Sequence, residues 1–425
     1  MTVARVSPSM AVGSVRAPPS KSYTHRALVA GHLAHRRYRI ENPLDAQDTL
    51  ATARAVGLLG TPVLRRARSW TLRPAASGAE PRAVSVDCGE SGTTLRFVAA
   101  LAARAPRWVT LRGRGRLPER PMAPLWNALT ELGATVEHRR RSSRLPATLH
   151  GPMHGGSITL DASESSQFTS ALLLVLPTLG EDSRLTLSGE VVSRPYVDAT
   201  LAVLRYHGVE VKPSGRGFQI PGGQHYRRHR FEVPGDASSA AYLWVAAALT
   251  GGCVTVRGVP GTWPQADLAI LDLLDQVGAE VRRAPSGATV RGGLLHPFRV
   301  DLTDAPDLYP LAGVLATAAS GESRLAGAAH VALKESDRRA GTAGLARALG
   351  AKVTVRRDGL RVHGRGRPRP IRLLGLRDHR LVMSAAVAAL AATGRSTIGD
   401  ARAVEKSFPE FWSELGRLTR GVDVP

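Results

Sequence analysis

Leu132-Gly133-Ala134-Thr135-Val136 is one copy of a pattern that recurs along the chain. His207-Gly208-Val209-Glu210-Val211, Val277-Gly278-Ala279-Glu280-Val281 and Leu349-Gly350-Ala351-Lys352-Val353 repeat it. Gly60-Thr61-Pro62-Val63 and Gly421-Val422-Asp423-Val424 are weaker copies. The glycines follow one another at 73, 75, 70, 72 and 71 residues. In each copy the glycine ends an apolar pattern of helical spacing, and alternation starts after it. Glycine enters the left-handed conformation that closes a helix without a steric penalty, so each copy reads as a helix C-terminus feeding a strand.

A second series runs in phase with the first. A strand-like stretch, a polar loop and a long apolar helix meet at Pro18-Pro19-Ser20-Lys21-Ser22, Cys88-Gly89-Glu90-Ser91-Gly92-Thr93 and Ser163-Glu164-Ser165-Ser166-Gln167. They meet again at Gly235-Asp236-Ala237-Ser238-Ser239, Pro306-Asp307 and Asp378-His379-Arg380. Ser22, Thr93, Ser166, Ser238, Asp307 and His379 are spaced 71, 73, 72, 69 and 72 residues apart. Each unit therefore reads β-loop-α-β-loop-α-β-β, six times over, and three such units are enough to share a core. The Ser, Thr and Asp of this series are expected to be helix N-caps. A helix N-terminus offers unpaired N–H groups and partial positive charge, so several brought together form an anion site. The bland alternative for any one loop is an ordinary cap.

Composition narrows the function classes. The chain has 425 residues, 43% of them hydrophobic, enough for two domains with cores of their own. Cys88 and Cys253 have no CxxC or histidine partner in sequence, so neither a disulfide framework nor a zinc site is expected. Residues 1–14 lack a charged segment followed by a continuous apolar run, and the apolar stretches near 172–176, 240–249 and 382–392 are too short to span a bilayer. They are expected to be buried helices of a cytoplasmic protein with no membrane partner. The net charge of +22 invites a nucleic-acid reading. Its clusters, however, at 139–141, 227–230 and 365–369, are scattered and not interleaved with aromatics, which make up only 5% of the chain. No nucleic-acid partner is expected; small anionic substrates are. Five of the 57 basic residues are lysine, and three of those sit in short polar motifs: Ser20-Lys21-Ser22, Lys334-Glu335-Ser336-Asp337-Arg338 and Glu405-Lys406-Ser407. A compact ammonium is not interchangeable with a planar guanidinium, so these positions read as site loops.

The motifs, in order, resemble those of the 5-enolpyruvylshikimate-3-phosphate synthase family, and the likeness spans nearly the whole chain. They run from Ser20-Lys21-Ser22 with Arg26 through Gly92-Thr93 with Arg96, Glu119-Arg120-Pro121, Ser165-Ser166-Gln167-Phe168 and Ser193-Arg194-Pro195-Tyr196. They continue through Gly235-Asp236-Ala237-Ser238-Ser239, Lys334-Glu335-Ser336-Asp337-Arg338, Asp378-His379-Arg380 and Lys406-Ser407-Phe408-Pro409. The resemblance implies an α/β fold: a two-domain inside-out α/β barrel of six βαβαββ repeats, three per domain. It implies domains at 20–234 and at 1–19 plus 235–425, with the active site in the cleft between them. It also implies transfer of the enolpyruvyl group of phosphoenolpyruvate to the 5-hydroxyl of shikimate 3-phosphate by addition and elimination, with no metal or organic cofactor. The protein is expected to act as a monomer.

Site roles follow from the same resemblance. Asp307 is the expected base on the 5-hydroxyl, Glu335 the proton donor to the methylene carbon, and Lys21 the cation between the two substrates. Shikimate 3-phosphate is expected at Lys21, Ser22, Arg26, Ser165, Ser166, Gln167, Ser193, Tyr196, Asp307, His330 and Lys334. Phosphoenolpyruvate is expected at Lys21, Gly92, Arg120, Gln167, Arg338, Arg380 and Lys406, the arginines offering two-pronged contacts to carboxylate and phosphate. Asp236, His379 and Glu90 are expected behind these contacts. Glu90 and His330 stand where many bacterial members carry asparagine. Taken singly, Asp307 would read as a helix-start residue, Glu335 as a surface acid and His379 as a structural donor.

Two other readings remain open at this point: an enolpyruvyl transferase acting on UDP-N-acetylglucosamine, and a basic nucleic-acid-binding protein on the same fold. The sugar-nucleotide family carries a reactive cysteine on a loop, and residues 112–119 contain none. Gly92, without a side chain, leaves room beside the expected phosphoenolpyruvate site for the small phosphonate glyphosate. Inhibition competitive with phosphoenolpyruvate is therefore expected, and full activity at millimolar glyphosate would overturn it.

Overall fold

The structure, a computed structural model, describes residues 2–74, 83–138, 144–327 and 329–424. The arginines at 139–141 lie outside the described residues. The chain divides into two compact units, Pro19–Val233 and Met1–Pro18 with Pro234–Pro425.

All six repeats form the same four-stranded sheet. In the second repeat Ala83–Asp87 pairs in parallel with Trp108–Arg112, which pairs antiparallel with Ala147–His150, which pairs antiparallel with Thr135–His138. The third and fifth repeats copy this order with Ser157–Asp161, Ser183–Ser188, Gly217–Ile220 and Lys212–Ser214, and with Arg299–Asp301, Ser320–Ala326, Leu360–Arg365 and Lys352–Val355. In the second, third, fifth and sixth repeats the parallel pair is joined by a crossover, which the repeat's first helix supplies.

The first and fourth repeats exchange their opening strands. Val12–Arg16 pairs not with Tyr38–Glu41, the next strand along the chain, but with Cys253–Arg257. Arg230–Glu232 takes the vacated position beside Tyr38–Glu41. In the sixth repeat Val3–Val6 fills the third position of the sheet, antiparallel to Ser396–Gly399 and to Val422–Asp423. The N-terminal strands thus complete two sheets of the C-terminal unit.

The first helices of the repeats are the cores. Lys21–Leu33, Gly92–Arg104 and Ser166–Val175 touch one another in one unit, and Ala237–Thr250, Tyr309–Ala318 and His379–Leu390 do so in the other. Nearly every residue of these helices is buried, as in Ala237–Thr250, where 12 of 14 residues are inside. Such helices have no polar face and must be surrounded, while alanine, serine and glycine at the contacts let the backbones close up. The strands show one buried and one exposed face, for example eBeBe in Ser157–Asp161. Each unit is therefore inside-out, with helices at the centre and sheets around them. Among the described residues no helix is long and apolar enough to cross a membrane.

Two local expectations change. Gly60, Gly133, Gly208, Gly278 and Gly350 do lie at positive φ just after their helices, but Gly421 does not. The last helix, Phe411–Leu418, ends in extended Thr419. Gly421 is small for another reason: a Cβ there would stand 2.2 Å from the Ser7 carbonyl oxygen, which the strand edge brings close. The series Ser22 to His379 is also not a series of caps. Four side chains that cap are Ser91, Ser165, Asp236 and Asp378, and Ser20 occupies the cap position of Lys21–Leu33. Ser22, Thr93, Ser166, Ser238 and His379 sit one or two residues further on, in the first turn, while Asp307 lies within the 3-10 turn Pro306–Leu308. Sequence spacing gives a phase, not the residue at which φ and ψ turn helical.

Three histidines of the Pro19–Val233 unit are held as neutral rings, His25 and His207 fully buried and His32 half-buried. Burial, then the charge of Lys21, holds His25 well below its ordinary value; burial takes His32 down to about 3 and His207 to about 4. His207 is locked from both sides, with Nδ1–H donating to the Val203 carbonyl at 2.7 Å and Nε2 accepting from Tyr38 Oη at 2.7 Å. The unfolded chain binds these protons near pH 6.5 and the folded unit does not, so stability is full above pH 6.5 and falls as pH drops towards the folded values. Each ring contributes a slope of up to about 1.4 kcal/mol per pH unit in that window. Urea midpoints should fall between pH 7 and 5, with a smaller fall in His207→Gln; equal midpoints at both pH values would refute the neutral burial.

Candidate active site

The residues named from sequence fall into two groups, one in each unit, and both gather where the first turns of the central helices meet. In the Pro19–Val233 unit the helix Lys21–Leu33 starts with a lysine whose Nζ lies 3.2 Å from Asp48 Oδ2, the carboxylate being almost fully buried. Five residues on, Arg26 is buried and its guanidinium is committed to the protein. It donates to the Ser22 carbonyl at 2.9 Å, the Tyr196 carbonyl at 2.7 Å and Thr200 Oγ1 at 2.9 Å. Burial lowers its pKa to about 10, which leaves it charged at neutral pH. Arg26 thus fixes Ser22 and Tyr196 relative to each other.

The second helix of this group begins at Gly92, capped by Ser91, which accepts from Thr94 N. A Cβ added at Gly92 would stand 2.6 Å from both Arg120 Nη1 and Arg96 Nη1. Two guanidinium groups and a helix N-terminus therefore converge on a backbone position where only hydrogen fits. Arg96 is buried, stacks over the Phe168 ring at 5.1 Å, and donates to Gln167 Oε1 at 2.7 Å and the Pro121 carbonyl at 3.0 Å. Gln167 Nε2 donates to Thr93 Oγ1 at 3.1 Å, so both ends of the amide are fixed. Ser165, Ser166 and Ser193 are buried beside these elements. Ser193 holds φ 56 at the start of Arg194–Tyr206, a left-handed conformation uncommon for serine and often found at functional positions. Glu90 is exposed, and its carboxylate lies over Gly115: a Cβ there would be 2.6 Å from Oε1.

In the other unit Arg338, buried on the first turn of Arg338–Ala348, ties three carboxylates together. Nη1 lies 2.5 Å from Asp307 Oδ1, Nη2 2.7 Å from Glu335 Oε2 and Nε 3.0 Å from Asp378 Oδ2. Arg380 Nη2 takes the other oxygen of Asp307 at 2.8 Å. Burial by itself lowers the pKa of Arg338, but Asp378, Glu335 and Asp307 more than offset it and the value rises; Arg380 is likewise raised, chiefly by Asp307. Asp378 also caps His379–Leu390 through Arg380 N and accepts from Ser336 Oγ at 2.7 Å. Asp236 caps Ala237–Thr250 through Ser239 N at 3.0 Å. His330 is buried and neutral, brought down to about 3 by burial and then by Lys334. Lys406 is nearly buried at the end of the turn Ala401–Lys406, and His379 is inside the first turn of its helix.

With this geometry in view, similarity to known proteins decides the family. A family model for EPSP synthase (3-phosphoshikimate 1-carboxyvinyltransferase) matches residues 7–415. The chain belongs to the EPSP synthase family. A 3-phosphoshikimate 1-carboxyvinyltransferase of Methanocella arvoryzae is 40% identical over 426 residues, covering 99% of this chain and all of that one. One from Halobacterium salinarum is 42% identical over 429 residues, covering 99% of each. Among solved structures, an EPSP synthase from Acinetobacter baumannii superposes with TM-score 0.83 at 24% identity over the full length of both chains. The enolpyruvyl transferase NikO from Streptomyces tendae does so at TM-score 0.80 and 18% identity, covering all of this chain and 98% of that one. At these identities the structures speak for the fold, which is the two-domain fold expected.

Sequence reading did not single out Asp48, Arg96, Asp267 or Asp378 as site residues. Asp48 looks like a routine helix-start acid, and Arg96 and Asp378 appear only as members of motifs. Asp267 is buried, hydrogen-bonded to Ser238 Oγ, and its carboxyl is pushed up by burial and by the charge of Asp307. No local pattern signals that a turn at Ala266–Leu268 meets helix Ala237–Thr250.

Removing the fork of Arg338 would leave three carboxylates facing one another in a buried setting. Arg338→Met is expected to cost the C-terminal unit about 3–5 kcal/mol in urea unfolding. A loss under about 1 kcal/mol would show that the cluster does not depend on this arginine.

Proposed function

We propose that this chain transfers the enolpyruvyl group of phosphoenolpyruvate to the 5-hydroxyl of shikimate 3-phosphate and releases phosphate. The observation that carries the chemistry is the sharing of Asp307 between Arg338 and Arg380, with Glu335 on the remaining prong of Arg338. A base, an acid and two guanidinium forks for a carboxylate or phosphate lie in one cluster, the arginines buried and the carboxylates part-buried, as addition followed by elimination requires.

The carboxylate of phosphoenolpyruvate competes with Asp307 for the two forks, and when it takes them an oxygen of Asp307 is released to act as base. The 5-oxygen then adds to C2 of phosphoenolpyruvate while its proton passes to Asp307, and C3 takes a proton from Glu335. In elimination the C2–O bond breaks with its electron pair leaving on phosphate, and the Glu335 carboxylate takes a proton back from the new methyl group, restoring the double bond. Lys21, Arg120 and the N–H groups at Gly92 are assigned to the phosphate being lost. Shikimate 3-phosphate is assigned to Ser22, Ser165, Ser166, Gln167, Ser193, Tyr196, His330 and Lys334. Lys406 adds positive charge for phosphoenolpyruvate. Glu90, exposed over Gly115, and the buried Asp236 and His379 serve the shape of these groups.

The sugar-nucleotide alternative draws no support from the cysteines. Cys88 is fully buried and its thiol is pushed up to about 12 by burial and then by Asp87, which makes it a poor nucleophile. Both cysteines are free thiols, in keeping with a cytoplasmic setting, and the protein is taken to act as a monomer.

Phosphate release by purified protein should require both substrates. Asp307→Asn and Glu335→Gln should each lower kcat by roughly 10²- to 10⁴-fold with the fold intact. Release from phosphoenolpyruvate with UDP-N-acetylglucosamine, and none with shikimate 3-phosphate, would overturn the assignment.

A further inference from the structure

Behind Lys21 lies a chain of buried hydrogen bonds that none of the assigned roles uses. Lys21 Nζ is 3.2 Å from Asp48 Oδ2. The Asp48 carbonyl accepts from Thr94 Oγ1 at 3.2 Å, and Thr94 Oγ1 lies 2.8 Å from Ser91 Oγ, the cap of the helix that starts at Gly92. Thr52 Oγ1 is 2.7 Å from Thr94 Oγ1, and His25 Nδ1 is 2.7 Å from Thr52 Oγ1. His25, Thr52, Thr94 and Ser91 are all buried.

The Asp48 carbonyl can only accept, which gives the chain one self-consistent set of proton directions. With the Thr94 hydroxyl proton on the Asp48 carbonyl, Thr52 donates to Thr94. Thr52 has then used its own proton, and His25 must donate from Nδ1. Burial keeps that ring neutral, and this set of directions corresponds to the tautomer with hydrogen on Nδ1. The ordering runs one way, from His25 through two threonines to the backbone of Asp48. The Asp48 side chain faces Lys21 while its backbone is tied to the cap beside Gly92, so a single residue sets the ammonium relative to the Gly92 N-terminus.

We propose that Asp48 is a positioning residue: its carboxylate holds the Lys21 ammonium, and the His25–Thr52–Thr94 chain holds Asp48 in register with the Ser91–Gly92 helix start. This role presupposes the enolpyruvyl transfer proposed above. The competing explanation is ordinary: an acid in the first turn of Gln47–Leu58 stabilises that helix through its dipole and does nothing else.

The test is steady-state and single-turnover phosphate release in Asp48→Asn, Thr94→Val, Lys21→Ala and the Lys21→Ala/Asp48→Asn double variant, each with its thermal melt. Asp45→Asn, which removes an exposed acid of the same loop, is the control. Asp48→Asn should lower kcat about tenfold to a hundredfold. Thr94→Val should lower it by less with the Lys21–Asp48 pair still present, and Asp45→Asn should stay within about twofold of wild type. In the Lys21→Ala background, Asp48→Asn should add less than about twofold, because its effect runs through the lysine. A lower melting temperature with kcat unchanged would leave only the dipole role and overturn the proposal. So would the same loss of kcat with and without Lys21. Should Asp48→Asn fail to fold, Thr94→Val decides the matter, since unchanged kcat there contradicts a chain that holds Asp48. Wild-type protein that releases no phosphate from the two substrates would instead remove the transferase reading, and this role with it.

Discussion

A helix such as Ala237–Thr250 has no face that water tolerates, and burying it and its counterparts shapes both units. A single βαβαββ repeat has one sheet with one apolar face, which cannot enclose such a helix. Three repeats can, by placing three helices against one another and three sheets outside. The same packing brings three helix starts together, and helix starts are where unpaired N–H groups and partial positive charge are found. The anion-binding character of these regions is therefore a by-product of how the core is closed.

The exchange of opening strands fits this picture. Val12–Arg16 and Arg230–Glu232 occupy equivalent positions in their sheets, each beside a strand of a different repeat from its own. The pairing rules are satisfied equally well either way, because the register needs only a parallel neighbour with the right face inward. Each unit ends up with three four-stranded sheets.

Charge in the candidate site is organised in advance. Arg26 and Arg96 spend their donors on carbonyls and an amide, while Arg338 and Arg380 are neutralised by Asp307, Glu335 and Asp378. Burying these cations without partners would be costly, so the protein supplies carboxylates. In the proposed reaction those same carboxylates supply the acid and the base, and a bound anion would exchange with them at the arginines.

The sixfold period, the helix-then-strand order and the central helices were legible in the sequence, because glycine stops, alternation and long apolar runs are local consequences of backbone geometry and burial. The motif residues around Lys21, Gly92, Gln167, Asp307, Arg338 and Arg380 were legible as well, since they sit at helix starts in phase with the repeat. Which residue of each loop caps its helix was not legible; the caps are Ser91, Ser165, Asp236 and Asp378 rather than their neighbours in the series. Nor was the reason for glycine at 421, which is the closeness of Ser7, more than four hundred residues earlier in the chain. Asp48 and Asp267 gave no sign of their partners, and the commitment of Arg26 to Tyr196 and Thr200 spans some 170 positions. Sequence by itself determined the repeat, the fold class and the residue types at the helix starts, because those depend on neighbours along the chain. Only the tertiary structure decided which charges neutralise one another and which hydroxyls order them, because those energies depend on distance in space and on exclusion of water.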